Sequence, residues 1–344
     1  MIQTHGGNAY GYKIAIDFSV NTNPLGIPEN VKKAVMESAD LWESYPDPFC
    51  SELKKKISDY ENISSSEIVC GNGADDLIYR IVHALKPKKA LICIPCFSEY
   101  GKALSEVNCK IMKYILDERK NFMCDSMLSE KITPDTDIVF IGSPNNPTGK
   151  IIPSEVLESV AEKCRKNGTV LVCDECFIDF TENPEKYTLK NFINEYCIIL
   201  RAFTKSYAMA GLRLGYALFE NSNLADMVSG SGQFWSVSVP AQWAGISALD
   251  ETEYIRKTVG MIKKEREYLI RELSETVFKV YSSDVNYILF KAPCGLDDRL
   301  AEKGILIRNC SNYSGLSEGF YRIAVKTHTE NEYLISNLRK CING

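Results

Sequence analysis

Four short segments of the chain carry residues whose types and spacing could do chemistry. Gly71-Asn72-Gly73-Ala74-Asp75-Asp76 opens into the apolar stretch Leu77 to Leu85. Small residues at a helix N-terminus leave backbone N–H groups free to hold a phosphate, each such charge interaction being worth about 0.3 to 1 kcal/mol. A tight turn explains the same residues equally well. Gly142-Ser143-Pro144-Asn145-Asn146-Pro147-Thr148-Gly149 forms a rigid turn, in which the Asn146 amide could donate to a ring oxygen. Asp174-Glu175 follows four apolar residues, Val170 to Cys173. A carboxylate at a buried strand end needs a partner, either a protonated heterocyclic nitrogen or an ion pair inside the fold. The fourth segment, Arg201-Ala202-Phe203-Thr204-Lys205-Ser206-Tyr207, sets a lysine between hydroxyl residues, with Arg213 following in a Gly-flanked loop. Lysine forms Schiff bases when its environment lowers its pKa, and arginine suits phosphate through paired donors, so the segment couples an amine nucleophile to an anion clamp.

These segments sit where strands should end. The apolar runs Glu67 to Cys70, Ala90 to Ile94, Asp137 to Ile141, Thr169 to Cys173 and Cys197 to Leu200 do not alternate, which marks strands covered on both faces in a mainly parallel sheet. Ligands of such α/β sheets collect beyond the carboxyl ends of the strands. Pro153 to Lys166 places Val156, Leu157, Val160, Ala161 and Cys164 on one helical stripe before Asn167-Gly168, the pattern of a crossover helix. A long charged helix is expected over Asp250 to Glu275, leading to a small α+β domain. Its strands are expected at Tyr287 to Phe290, Ile305 to Ile307 and Tyr321 to Val325, and its helices near 296–303 and 329–342.

A chain of 344 residues that is 45% hydrophobic and 25% charged can bury a large globular core. A net charge of -5 with scattered Lys and Arg argues against nucleic-acid or anionic-membrane partners. The polar, Gly-rich start and the lack of any apolar run of roughly 18 residues point to a cytoplasmic protein. The thirteen cysteines then read as reduced thiols. Cys93/Cys96 and Cys173/Cys176 have Cys-x-x-Cys spacing but lie too far apart for a zinc ribbon, whose pairs stand about 15 to 20 residues apart, so no metal is expected.

Asn146-Pro147-Thr148-Gly149, Asp174-Glu175, Thr204-Lys205 and Arg213-Leu214-Gly215-Tyr216, in this order and spacing, resemble the fold-type I pyridoxal-phosphate aminotransferases over essentially the whole chain. The resemblance implies an α/β fold: a large domain with a mainly parallel seven-stranded sheet flanked by helices, plus a small α+β domain. Residues 1–30 would be an N-terminal arm on the small domain and active site, 31–245 the cofactor-binding domain and 246–344 the small domain. By the same likeness Lys205 forms the Schiff base with pyridoxal 5'-phosphate and moves protons, Asp174 pairs with the ring nitrogen, Asn146 bonds the ring oxygen and Phe97 stacks on the ring. Gly73, Ala74, Asp75, Thr204 and Arg213 would hold the cofactor phosphate. Tyr45 would reach the phosphate of a neighbouring subunit, implying a homodimer with shared active sites. One departure stands out: Phe177 occupies a place where many aminotransferases carry a tyrosine that donates to the ring oxygen.

Within that superfamily the chain is most similar to the threonine-phosphate decarboxylase branch, sister to the histidinol-phosphate aminotransferases. The likeness rests on His5-Gly6-Gly7-Asn8, on Asp17 to Gly26, on Asp174 to Phe180 and on Ile305 to Tyr313. It assigns Arg322 to the substrate carboxylate and Arg308, with His5 and Asn23, to the substrate phosphate. Both arginines stand in apolar strand-like runs, where each needs an anion, from substrate or from the protein. The expected reaction is decarboxylation of L-threonine O-3-phosphate to (R)-1-amino-2-propanol O-2-phosphate, in cobalamin synthesis. The alternative is transamination of histidinol phosphate or a related amino acid. A non-catalytic cofactor-binding regulator is the third reading, and it lacks a DNA-binding extension because residues 1–30 belong to the fold.

Overall fold

The computed structural model describes residues 6–7 and 14–343. Its strands in chain order are β1 (Ile16–Asp17), β2 (Ile68–Gly71), β3 (Lys89–Ile94), β4 (Lys110–Ile115), β5 (Ile138–Gly142), β6 (Val170–Asp174) and β7 (Cys197–Ala202), then β8 (Gly215–Phe219), β9 (Lys279–Val280), β10 (Tyr287–Lys291), β11 (Ile305–Leu306), β12 (Arg308–Asn309) and β13 (Phe320–Ala324).

Seven of them form one sheet in the order β2-β8-β7-β6-β5-β3-β4. Only β8 runs against its neighbours; the remaining pairs are parallel. Every residue of β2, β5 and β8 is buried, because helices cover both faces, and this is why their sequences are apolar without alternation. All five expected strands are present. Two more escaped the sequence reading. The edge strand β4, Lys-Ile-Met-Lys-Tyr-Ile, keeps its lysines at the sheet margin and has no buried residue, so it reads as amphipathic. The start of β8 coincides with the Arg213-Leu214-Gly215-Tyr216 segment, which reads as an anion loop.

The crossover helix spans Ser154–Asn167, buries the expected five residues and ends at Gly168 with φ 68°. The long helix is Thr252–Ser274, and it packs on the final helix, His328–Asn343. Beyond it lies a four-stranded sheet in the order β12-β13-β10-β9. The strand expected at Ile305 to Ile307 is β11, which pairs in parallel with β1, and it is followed directly by β12, which pairs with β13. The N-terminal segment is thereby tied to the C-terminal one, since Phe18 N donates to Leu306 O (2.7 Å) and Ala324 N to Phe18 O (2.8 Å).

Hydrogen bonds join the large sheet's loops to the small domain, among them Tyr287 Oη to Asn145 O (2.8 Å) and Asp284 N to Gly149 O (2.9 Å). Gly149 has φ +71°, and a Cβ there would run into Ser283 Oγ, so both conformation and space demand glycine. Among the described residues no helix is long and apolar enough to cross a membrane. The cysteines are free thiols, with Cys93, Cys96, Cys173 and Cys176 buried about the ends of β3 and β6.

Candidate active site

The parallel strands β3, β5, β6 and β7 end at one margin of the large sheet, and the register aligns Gly142 with Asp174 and Asp174 with Leu200. The loops after these strands therefore converge. They enclose a cavity of about 200 Å³, whose wall includes Ala74, Asp75, Phe97, Asn146, Asp174, Thr204, Lys205, Arg213 and Arg322.

Lys205 stands on the short helical turn Phe203–Ser206 directly after β7. Burial lowers its pKa from 10.5 to about 8, with the positive charges of Arg322 and Arg213 adding to the effect and Cys176 and Asp174 opposing it. At pH 7 such an amine is neutral in roughly one molecule in ten, against roughly one in a few thousand for an ordinary lysine. Neutral amine is the nucleophile, and its fraction grows as pH rises through the pKa. Capture of pyridoxal phosphate by the cofactor-free protein should accelerate up to about pH 8 and then level off in stopped-flow absorbance. A rate still climbing towards pH 10 would show that this site does not depress the amine.

The two carboxylates of Asp174-Glu175 divide the possible roles. Glu175 is 1% exposed and turns inward, where it pairs with Arg201 (2.9 Å) and accepts from Thr188 Oγ1 (2.8 Å) and Leu189 N (2.6 Å). Arg201 also faces Asp179 (3.6 Å), which in turn accepts from Ser206 Oγ (2.6 Å), so the ion-pair network braces the turn that carries Lys205. Asp174 faces the cavity. Its Oδ1 accepts from Cys176 N (3.0 Å) and its Oδ2 from Tyr100 Oη (2.7 Å).

On the opposite wall, Arg322 is 5% exposed. It donates through Nη1 to Asn146 Oδ1 and through Nη2 to Ser19 O (2.9 Å), and its guanidinium lies 5.4 Å from the centre of the Tyr287 ring. In the amide orientation that satisfies both its ends, Asn21 accepts from Nε and Nη1 at 3.3 Å. Every one of these partners is neutral. A buried cation at a cavity wall, with no carboxylate in its shell among the described residues, could receive an anion.

The remaining sequence candidates lie as follows. Gly73 precedes the helix Ala74–Leu85, and a Cβ on it would stand 2.6 Å from Arg213 Nη2, so its bareness lets the guanidinium close over the helix start. Asn23 is off the cavity wall, behind Lys205. Its N donates to Lys205 O (2.9 Å), and its Nδ2 donates to Ser206 O (2.8 Å) and Thr258 Oγ1 (2.7 Å). Arg308 also stays off the wall: it is 2% exposed, donates to Asn309 O and to Asn312 Oδ1 (2.8 Å), and stacks 5.2 Å from the Tyr313 ring centre. Tyr45 is 78% exposed and not on the wall of its own chain's cavity, stacked on Trp235 with ring centres 4.4 Å apart. His5 lies outside the described residues.

Several wall residues were not singled out from the sequence: Ser19, Val20, Asn21, Tyr100, Cys176 and Tyr313. Tyr313 Oη donates to Asn146 Oδ1 (3.4 Å). Burial and the charge of Asp174 push the Cys176 thiol well up, so it remains protonated and is no rival nucleophile to Lys205. The one available signal for Tyr100 was its position three residues after Phe97, at the start of the helix Ser98–Glu106.

This donor set suits pyridoxal phosphate. The N-terminal turn of Ala74–Leu85, the Thr204 hydroxyl and the Arg213 guanidinium could supply phosphate ligands at the wall that also carries Lys205 and Asp174. Phe97 offers a ring face beside them and Asn146 an amide.

Residues 13–338 match the family model for aminotransferase class I and II. The threonine-phosphate decarboxylase of Salmonella typhimurium is 35% identical, with 96% of this chain and 92% of that protein covered. The adenosylcobalamin biosynthesis bifunctional protein CobDQ of Leptospira interrogans is 36% identical over 99% of this chain and 41% of its own length. Among solved structures, the histidinol-phosphate aminotransferase from Clostridium acetobutylicum superposes with a TM-score of 0.88 at 32% identity, covering 95% of this chain and 99% of that one.

Proposed function

The chain belongs to the aminotransferase class I and II family, and from that premise we propose that it decarboxylates L-threonine O-3-phosphate to (R)-1-amino-2-propanol O-2-phosphate, as a cytoplasmic homodimer in cobalamin synthesis. The observation that carries the reading is Arg322, a buried guanidinium that has only neutral partners at the cavity wall among the described residues. It would receive the substrate carboxylate. When bound, pyridoxal phosphate supplies an electron sink for the pair released at the substrate Cα. Lys205, Asp174, Asn146, Phe97, Thr204, Arg213 and the start of the helix Ala74–Leu85 would hold it.

The chain's own part is orientation and proton supply. Arg322 fixes the carboxylate, and the substrate phosphate, held by His5, Asn23 and Arg308, fixes the other end. Two anchors on a small molecule would select which Cα bond the site presents for breaking. If that bond leads to the carboxylate, CO2 leaves and Lys205 Nζ delivers one proton to Cα. Arg308 and Asn23 lie behind Tyr313 and Lys205 in this structure, so the reading requires a small repacking around Tyr313 for Arg308 to meet the phosphate. Chain organisation follows the division 1–30, 31–245 and 246–344. Tyr45, Phe49, Phe234 and Trp235 form an exposed aromatic group that suits a face shared with a second copy, whose cofactor phosphate Tyr45 would reach.

The deciding experiment supplies cofactor-loaded protein with L-threonine O-3-phosphate and no keto acid, and follows CO2 and the amine by NMR. Catalytic CO2 release is expected. Conversion of the cofactor to its pyridoxamine form without CO2 would replace the reading with transamination.

A further inference from the structure

We propose that Tyr100 is a positioning residue for the cofactor's ring nitrogen: its phenol locks Asp174 in place and keeps the proton shared between carboxylate and nitrogen on the nitrogen. The contact is short, 2.7 Å from Tyr100 Oη to Asp174 Oδ2, in the range of hydrogen bonds to an ionised acceptor. Tyr100 is 2% exposed, and its ring is clamped between Phe140, stacked at 5.3 Å and 17°, and Phe97, edge-on at 5.8 Å and 83°. The phenol therefore has one place to point. Burial, with the negative charge of Asp174, holds its ionisation well above the usual tyrosine range, so the group stays a donor throughout the working pH.

The consequence concerns how Asp174 shares a proton. A carboxylate that accepts hydrogen bonds is stabilised in its charged form and binds a proton less readily. Asp174 accepts two, from Cys176 N at Oδ1 and from Tyr100 Oη at Oδ2. Removing the phenol would leave Oδ2 without its donor and let the carboxyl group turn away from the ring nitrogen. The ring nitrogen would then lose part of its positive charge, and with it part of its capacity to accept electrons. Phe97 and Tyr100 lie at the start of one helix, so the same element would set both the ring's stacking face and the charge at its nitrogen.

The test is Tyr100→Phe, which removes one oxygen, in the holoenzyme loaded with cofactor labelled with nitrogen-15 in the ring. The wild-type resonance is expected at the protonated position and that of Tyr100→Phe displaced towards the neutral one. With it kcat should fall roughly 10- to 100-fold and KM change less than about 2-fold, the scale of one lost charge-assisted hydrogen bond. On an Asp174→Asn background the same change should move neither the resonance nor the cofactor Kd. An unshifted resonance with unchanged kcat, or an equal effect in the Asp174→Asn background, would overturn the proposal. So would cofactor-free Tyr100→Phe that no longer melts as a folded protein, since the hydroxyl would then serve the fold rather than the cofactor. The readouts follow the cofactor rather than CO2, so the outcome is independent of whether the substrate is threonine phosphate.

Discussion

Lys205→Ala leaves a protein that binds pyridoxal phosphate without covalent attachment, loses its visible absorption band and turns over at least about 10^4-fold more slowly, the scale expected when the group that bonds covalently is removed. The size follows from two duties falling on one atom. Nζ is the amine that its surroundings hold partly neutral, and in the proposed reaction it would also be the proton source at the same wall. Alanine removes both without disturbing the turn, whose backbone is fixed independently by Asn23 N on Lys205 O and by Asn23 Nδ2 on Ser206 O. The check is absorbance after removal of excess cofactor, followed by assay. A variant that keeps the band and the rate would remove Lys205 from the chemistry and the cofactor assignment with it.

Arg322→Ala is expected to cost about 3 to 5 kcal/mol, or roughly 10^2- to 10^4-fold in kcat/KM, the range for truncating one member of a buried charge pair. The informative control is the product. Decarboxylation leaves an amine phosphate without a carboxylate, so a residue that binds the carboxylate matters little for product affinity. Calorimetry should find product Kd in Arg322→Ala within about 3-fold of wild type. Equal losses for substrate and product would mean that Arg322 acts through its contacts with Asn146 and Ser19, as part of the wall rather than as a receptor.

The strand-end chemistry was readable because two periodicities agreed. Uninterrupted apolar runs announced β5, β6 and β7, and the polar residues after each had to lie at one margin, as Asn146, Asp174 and Lys205 do. Asp174 and Glu175 show where such reading stops. Adjacent carboxylates at a strand end are equivalent on paper, and only the position of Arg201, fixed by packing of β7 against β6, sends Glu175 inward. Arg308 and Arg322 were equally ambiguous. They face each other across β12 and β13, yet one guanidinium lies on the wall and the other over Tyr313. Tyr100 was missed because a tyrosine in the first turn of a helix is ordinarily a core residue, and its hydroxyl's target comes from 74 positions away. The edge strand β4 was missed because exposure on both faces erases the apolar run that marks its neighbours.

The pairing of β1 with β11 joins residue 16 to residue 305, and Arg322 donates to the carbonyl of Ser19 across 303 positions. During synthesis the first twenty residues emerge long before their partners exist. At roughly 5 to 20 residues per second, the interval is on the order of 15 to 60 s. The large sheet, whose strands lie between residues 68 and 219, has all its pieces well before then. Such distant pairing adds loop-closure entropy and makes closure a late step. The cavity wall at Arg322 is therefore completed only when the end of the chain captures its beginning, so a truncated nascent chain can hold a finished sheet without the wall that would receive an anion.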